Sequence, residues 1–326
     1  MSSDFDDLQP QLILDAIEAA GYSTTGEYSQ LNSYENRVFD IRLEEDRRFS
    51  TPTELNEPRV IAKFYRPRRW TPAAIKDEHD FMLDLQQEGI PAVAPLELRN
   101  GQTLLTYENY TFALFPRVLG RNPQEFKKGE LKQVGRTLAR IHNVGARHWA
   151  EHRPSLTAET YGWKVLPKLE RFVYPELWNR YHEAAEILLE AVEQNLNPDT
   201  FIRIHGDCHK GNLLHSGDEF FMVDFDDFCN GPVAQDFWML LSGSIDKSEA
   251  QAEQNEICSG YEELRELPDE WQLFEPLRAL RIIHYAAWIA NRWNDPFFKR
   301  IFPEFLTYNY WLEELRQLEE IISELE

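Results

Sequence analysis

Apolar positions along the chain change their spacing from one stretch to the next, and the changes divide it into regions. Leu12, Ile13, Ala16, Ile17 and Ala20 recur every three or four residues, which predicts a helix over residues 6–20 with Pro10 in its first turn and Gly21 past its end. Strand-like runs follow at 31–43 (LNSYENRVFDIRL) and 59–65 (RVIAKFY). The polar stretch EEDRRFSTPTELNEP between them is long for a hairpin and reads as a solvated excursion. A second helix is predicted from Pro72 to Gln87, with Thr71 as N-cap, Pro72 at its first position and Gly89 just beyond. TLLTYENYTFALF (103–115) reads as two strands turning near Glu108 and Asn109.

From about residue 120 helical spacing dominates. Leu131, Val134, Leu138 and Ile141 make one apolar stripe, and Leu177, Tyr181, Ala184, Leu188 and Val192 another. Short β-prone runs (FIRIH, NLL, FFMVDF) interrupt between 200 and 225, after which helical periodicity continues to the acidic end WLEELRQLEEIISELE. The pattern is α+β: a β-rich lobe over residues 1–118, a larger α-helical lobe over 119–326, and a cleft between them where ligand sites commonly form.

Composition narrows the function classes. The chain of 326 residues has 34 basic and 56 acidic side chains, a net charge of −22, which argues against broad binding to nucleic acid or an anionic membrane. A hydrophobic fraction of 42% excludes an acidic disordered chain. The start, MSSDFDD, has no basic and apolar regions of a secretory signal, and FWMLL and YAAWIA fall far short of the ~20 residues that span a bilayer. Three cysteines without CxxC spacing fit a reducing compartment, so the cytoplasm is expected, and without a strong dimerisation signature a monomer is expected.

The densest polar constellation is HGDCHKGN (205–212), followed by MVDFDD with Asp224, Asp226 and Asp227. A lone loop aspartate is ordinarily a turn former. Here Asp207 and Asn212 share one loop, and Asp224 ends a β-prone run twelve residues after Asn212. Such oxygen donors suit Mg²⁺ shared with substrate phosphates, leaving Asp207 as a base beside the metal. Zinc on His205, Asp207, Cys208 and His209 fits less well, because tetrahedral sites draw ligands from separate segments. Cys208 and His209, being adjacent, cannot readily align as a nucleophilic pair; Cys208 reads as a buried filler rather than a redox thiol. Lys63 lies in the apolar run VIAKFY on the same strand face as Ile61, a costly position unless paired, and Glu78 on the next helix is a partner. Arg66, Arg68 and Arg69 read as a solvated turn shaped by Pro67 rather than a handle for phosphate or an acidic substrate. Trp288, Trp293 and His284 read as core residues.

A strand with VIAK, a helix with Glu, a hinge, then HxDxxxxN and a later Asp resemble the protein-kinase signature set. HGDCHKGN, with Gly-Asp, resembles the aminoglycoside phosphotransferase and choline kinase branch. LNSYENRVF (31–39), KFYRPRRWT (63–71), HGDCHKGN, NGPVAQDFWMLL (230–241) and EPLRALRIIHYAAWIANRW (275–293) are similar to the bacterial stress response kinase A family, over nearly the whole chain. The resemblance implies a two-lobed protein-kinase-like fold using ATP and Mg²⁺. By position it implies Asp207 as catalytic aspartate, Asn212 and Asp224 as metal ligands, Lys63 on the phosphates with Glu78 as partner, and Asp236 and His205 organising the catalytic loop. Ser33 and Asn36 would contact ATP, with adenine between Ile61, Leu214 and the hinge from Phe115 to Val118. The phosphate loop lacks glycine and the DFG position reads DFD, so a switchable backbone there is not expected. The implied acceptor is a protein Ser or Thr hydroxyl, including the chain's own, in a stress response. The alternatives are a kinase for an amino alcohol, aminoglycoside or amino acid, which an acidic pocket would favour if the available Asp226, Asp227, Glu262 and Glu263 formed one, and a pseudokinase scaffold, which the intact Lys63, Asp207, Asn212 and Asp224 oppose. The acidic surface predicts a preference for basic protein substrates.

Overall fold

The computed structural model describes residues 4–44, 58–241, 247–267 and 269–325. Helix α1 (Pro10–Ala19) buries Ile13, Ala16 and Ile17 against an antiparallel sheet of five strands in the order β1-β2-β3-β5-β4. The strands are β1 (Thr24–Leu31), β2 (Arg37–Leu43), β3 (Arg59–Phe64), β4 (Leu105–Tyr107) and β5 (Tyr110–Pro116). The run 31–43 is therefore not one strand: residues 32–36 turn, and β1 precedes them. Strand β1 was invisible to alternation because its sequence, TTGEYSQL, lies on an edge with most of its residues exposed. The expected solvated excursion falls mainly on residues 45–57, outside the described residues.

Strand β3 is interior, hydrogen-bonded to β2 and β5, with Lys63 opposite Val38 and Ala113 and Ile61 opposite Asp40 and Phe115. An edge lysine pointing to water is thus excluded. Strands β4 and β5 turn at Glu108, whose φ is 50°. Helix α2 (Pro72–Gln87) begins as its sequence predicts, with the Thr71 hydroxyl accepting from Ala74 N at 3.1 Å. Its inner face carries Glu78 among Ile75, Phe81, Met82 and Leu85, and Phe81 packs on Phe225 and Phe228 of the helical lobe.

The second lobe comprises α3 (Glu130–Gly145), α4 (Pro175–Asn195), α5 (Ala234–Leu241), α6 (Lys247–Glu262), α7 (Phe274–Arg292), α8 (Pro296–Ile301) and α9 (Tyr308–Leu325). Both predicted stripes are buried in α3 and α4. A Cβ on Gly135 of α3 would strike the backbone of Ile257, and one on Gly260 that of Lys132, so glycine lets α3 and α6 meet backbone to backbone. Two short ladders carry the β-prone runs: β6 (Ile202–Ile204) with β9 (Cys229–Gly231), and β7 (Leu213–Ser216) with β8 (Glu219–Met222). Strand β9 is too short for alternation to reveal. Among the described residues no helix is long and apolar enough to cross a membrane.

The core between α4, α7 and α9 contains a titratable group. Glu314 accepts from the hydroxyls of Tyr310 at 2.8 Å and Tyr181 at 3.4 Å. Burial outweighs both bonds and pushes its carboxyl from 4.5 up to about 7. The folded state therefore holds an extra proton between those values, and stability falls as pH rises through that window and levels above it. Relative to Glu314→Gln, the parent should lose on the order of 2 kcal/mol between pH 5 and pH 8 in urea unfolding; parallel pH profiles for the two proteins would refute this.

Candidate active site

The loop HGDCHKGN (205–212) is anchored from below. Strand β6 leads into His205 and Gly206, where φ is 80° and a Cβ would strike the Asp227 carbonyl, so this loop requires glycine before its aspartate. Asp236, in the first turn of α5 and fully buried, accepts from the backbone nitrogens of His205 (2.9 Å) and Gly206 (2.8 Å). The same carboxylate lies 3.1 Å from Nε2 of His142 on α3. The fully buried His205 ring lies 3.0 Å from the Val223 carbonyl, which ties the loop to the segment carrying Asp224.

Asp207, Asn212 and Asp224 converge above this foundation. The Asn212 amide nitrogen donates to the Asp207 carbonyl at 2.9 Å, leaving its oxygen as the group a hard cation would use. Asp224 is left-handed at φ 60°, a conformation aspartate tolerates, and its side chain is 55% exposed. Lys63 reaches across from β3 to Glu78 (3.3 Å), Asp226 (3.1 Å) and Asp224 (3.4 Å). Desolvation opposes its charge, but Asp226 and Glu78 outweigh it and hold the ammonium well above the ordinary lysine range. At Asp207 desolvation is likewise outweighed, by Arg281 at 2.8 Å and then by His209, and the carboxyl sits well below its ordinary range.

These groups line a cavity of about 590 Å³ between the lobes. Ile61, Phe115, Val118 and Leu214 line it together with Ser33 and Asn36 of the β1–β2 turn. The Ser33 hydroxyl accepts from Asn36 N at 3.3 Å, and Asn36 Oδ1 accepts from Arg66 N at 3.0 Å, so the glycine-free turn is held by its own side chains.

Two expectations are corrected here. Arg66 and Arg69 are not a solvated turn: Arg66 is buried against Asp4 (2.9 Å), Glu35 (3.0 Å) and Asp295 (3.3 Å), and Arg69 against Asp226 and Asp227. Of the three, only Arg68, 83% exposed at its side chain, sits in a solvated turn. Acidic residues brought from other segments by folding account for the difference. Trp288 is not plain core but lines the cleft and donates to Glu35 at 2.8 Å, while Trp293 does pack on Phe305. His284 also lines the cleft; burial depresses it to about 4, with Arg281 adding to the effect. Of the four acidic residues available for a pocket, Asp226 and Asp227 line the cleft and Glu262 and Glu263 do not. Glu263 pairs with Lys132 (2.8 Å) and Arg136 (2.5 Å) at the α3–α6 contact, and Glu262 is not among the cleft residues. Cys208 is fully buried beside Met222 with its thiol pushed up by desolvation, as a filler should be.

Arg281, Glu35 and Arg292 were not singled out in the sequence. A signal existed, since Arg281, His284, Tyr285, Trp288 and Arg292 recur at three- and four-residue steps in the otherwise apolar α7.

Residues 27–274 match the sequence profile of the family described as phosphotransferase enzyme family. The chain is 38% identical to stress response kinase A of Escherichia coli K12 over 314 residues, covering 95% of this chain and 91% of that protein. It is also 38% identical to a Salmonella typhimurium protein named serine/threonine protein kinase RdoA, covering 94% of this chain and 90% of that one. Among solved structures, an amicoumacin kinase in complex with AMP-PNP, Ca²⁺ and Ami superposes with a TM-score of 0.76 at 19% identity, covering 98% of this chain and 94% of that one. A microcompartment-associated aminopropanol kinase gives 0.73 at 20% identity, with 97% and 98% covered.

Proposed function

From the premise that the chain belongs to the phosphotransferase enzyme family, within its stress response kinase A group, we propose that it transfers the γ-phosphoryl group of ATP to Ser or Thr hydroxyls of protein, its own included. The observation that carries this reading is the convergence of Asp207, Asn212 and Asp224 at one cavity with the buried Lys63–Glu78 pair. The lobe boundary belongs near residue 118: β5 ends at Pro116, Val118 lines the cavity, and the next helix starts at Glu130.

The donor set fits magnesium, since a carboxylate and a carboxamide oxygen facing a phosphate site are hard ligands. Asn212 and Asp224 would hold the ion, which would supply positive charge to neutralise the phosphates. Lys63, fixed by Glu78, orients the α- and β-phosphates. Ile61, Leu214 and the hinge segment from Phe115 enclose adenine, and Ser33 with the neighbouring backbone covers the phosphates; Asn36 supports that turn. Asp207 accepts the proton of the attacking hydroxyl as its oxygen bonds to the γ-phosphorus, the bond from phosphorus to the β–γ bridging oxygen breaks, and ADP leaves.

The test is incubation of the full chain with γ-labelled ATP and Mg²⁺, alone, with candidate proteins, and with small alcohols. Label on protein Ser or Thr that disappears with EDTA is expected. Label confined to amino alcohols or aminoglycosides would move the chain to small-molecule kinases, and no label at all would overturn transfer.

A further inference from the structure

Six carboxylates line the cleft (Glu35, Glu78, Asp207, Asp224, Asp226 and Asp227), and each lies beside a cation of the chain itself. Glu78, Asp224 and Asp226 share Lys63; Asp226 and Asp227 share Arg69; Glu35 meets Arg66 at 3.0 Å and Arg292 at 2.6 Å; Asp207 meets Arg281 at 2.8 Å. An incoming ammonium group would find only carboxylates already partnered, and displacing a paired arginine from a buried site is costly.

Arg281 differs from the other cations facing the cleft. The side chains of Lys63 and Arg69 are each 9% exposed and shared among several carboxylates. That of Arg281 is 29% exposed, pairs with Asp207, and lies 5.6 Å from the Tyr285 ring on the wall formed by α7. It stands beside the proposed base, where an acceptor hydroxyl must come.

We propose that Arg281 is a specificity-determining residue, selecting Ser or Thr hydroxyls flanked by Asp or Glu and rejecting acceptors that carry a fixed positive charge. This rests on the reading of Asp207 as the base. A flanking carboxylate of the acceptor takes the guanidinium in a two-pronged pair. Asp207 is thereby released from Arg281 and free to accept the hydroxyl proton in the transfer described above. The net charge of −22 repels an acidic peptide at long range, but salt screens that field beyond about 8 Å, and the contact at Arg281 decides. The preference runs opposite to the one the acidic surface predicts.

Two peptides with a single Ser, one flanked by Glu and one by Lys, would be compared on the wild-type chain, Arg281→Gln and Arg281→Glu. Wild type should favour the Glu peptide by about tenfold in kcat/KM, the strength of one charged hydrogen-bonded pair. Arg281→Gln should lose the preference and Arg281→Glu reverse it, with KM for ATP unchanged. A wild-type preference for the Lys peptide, or equal losses on both peptides with a raised KM for ATP, would overturn the proposal. Binding of the same peptides with Ala replacing Ser, followed by calorimetry, separates this inference from the kinase reading. Charge-selective binding that switches with Arg281→Glu in a protein that transfers no phosphate sustains the role of Arg281 and removes that of Asp207. Transfer to both peptides with binding indifferent to charge does the reverse.

Discussion

Asp207→Asn should lower kcat by about 10²–10⁴-fold, the range for removing a positioned general base, and leave affinity for Mg-ATP close to the parent's. The substitution keeps the shape and the backbone carbonyl that holds Asn212, while Lys63, Asn212 and Asp224 stay in place. It removes the negative charge and the oxygen that would receive the hydroxyl proton, and with them the ion pair to Arg281. Asp224→Asn makes the contrast, because losing the carboxylate proposed to hold the metal should weaken nucleotide binding together with turnover. Steady-state rates with Mg-ATP titrations on both variants give the comparison. Parent-like kcat in Asp207→Asn would remove the base assignment, and an equal loss of nucleotide affinity in both variants would place Asp207 in the metal site instead.

Asp236→Ala should destabilise the protein by about 3–5 kcal/mol, among the largest single-residue effects in this fold. One fully buried carboxylate accepts from two consecutive backbone nitrogens, at 2.9 and 2.8 Å, and faces a buried histidine at 3.1 Å. Alanine leaves those donors desolvated and without partners, which costs far more than the net worth of the bonds. The two nitrogens belong to the residues just before Asp207, so the loss should also appear as lowered kcat at temperatures where the variant is folded. Urea unfolding of Asp236→Ala and of the gentler Asp236→Asn, with rates at 15 °C, would measure both. A cost below about 1 kcal/mol would show that other contacts hold the loop.

Much of this molecule was legible before folding was considered. Thr71 and Pro72 start a helix wherever they occur before an apolar stripe, and α2 runs from Pro72 to Gln87 as its residues predict. The buried stripes of α3 and α4 follow from 3.6-residue spacing alone. Lys63 in an apolar strand demanded a partner, and Glu78 supplies it. Asp207, Asn212 and Asp224, singled out by residue type and spacing, come together at one cavity.

What failed to show in the sequence has physical causes of its own. Strand β1 is an edge with little buried on either face, so no alternation marks it, and β9 has only three residues. The arginines after β3 have a local sequence typical of a wet turn. Their partners Asp4, Asp226, Asp227 and Asp295 lie far away along the chain, and only the packed fold supplies them.

The sequence by itself thus determined the division into a β-rich and a helical lobe, the limits of α2 and the make-up of the carboxylate-amide cluster, because these depend on periodicity and on residue types a few positions apart; the first helix, expected over residues 6–20, spans only Pro10–Ala19. Tertiary structure alone decided the charge of the cleft. A net −22 is spread over the whole chain, whereas the field at the acceptor hydroxyl depends on which carboxylates find cations within about 3 Å. The pairing of Arg281 with Asp207 joins residues 74 positions apart, and no local pattern encodes it.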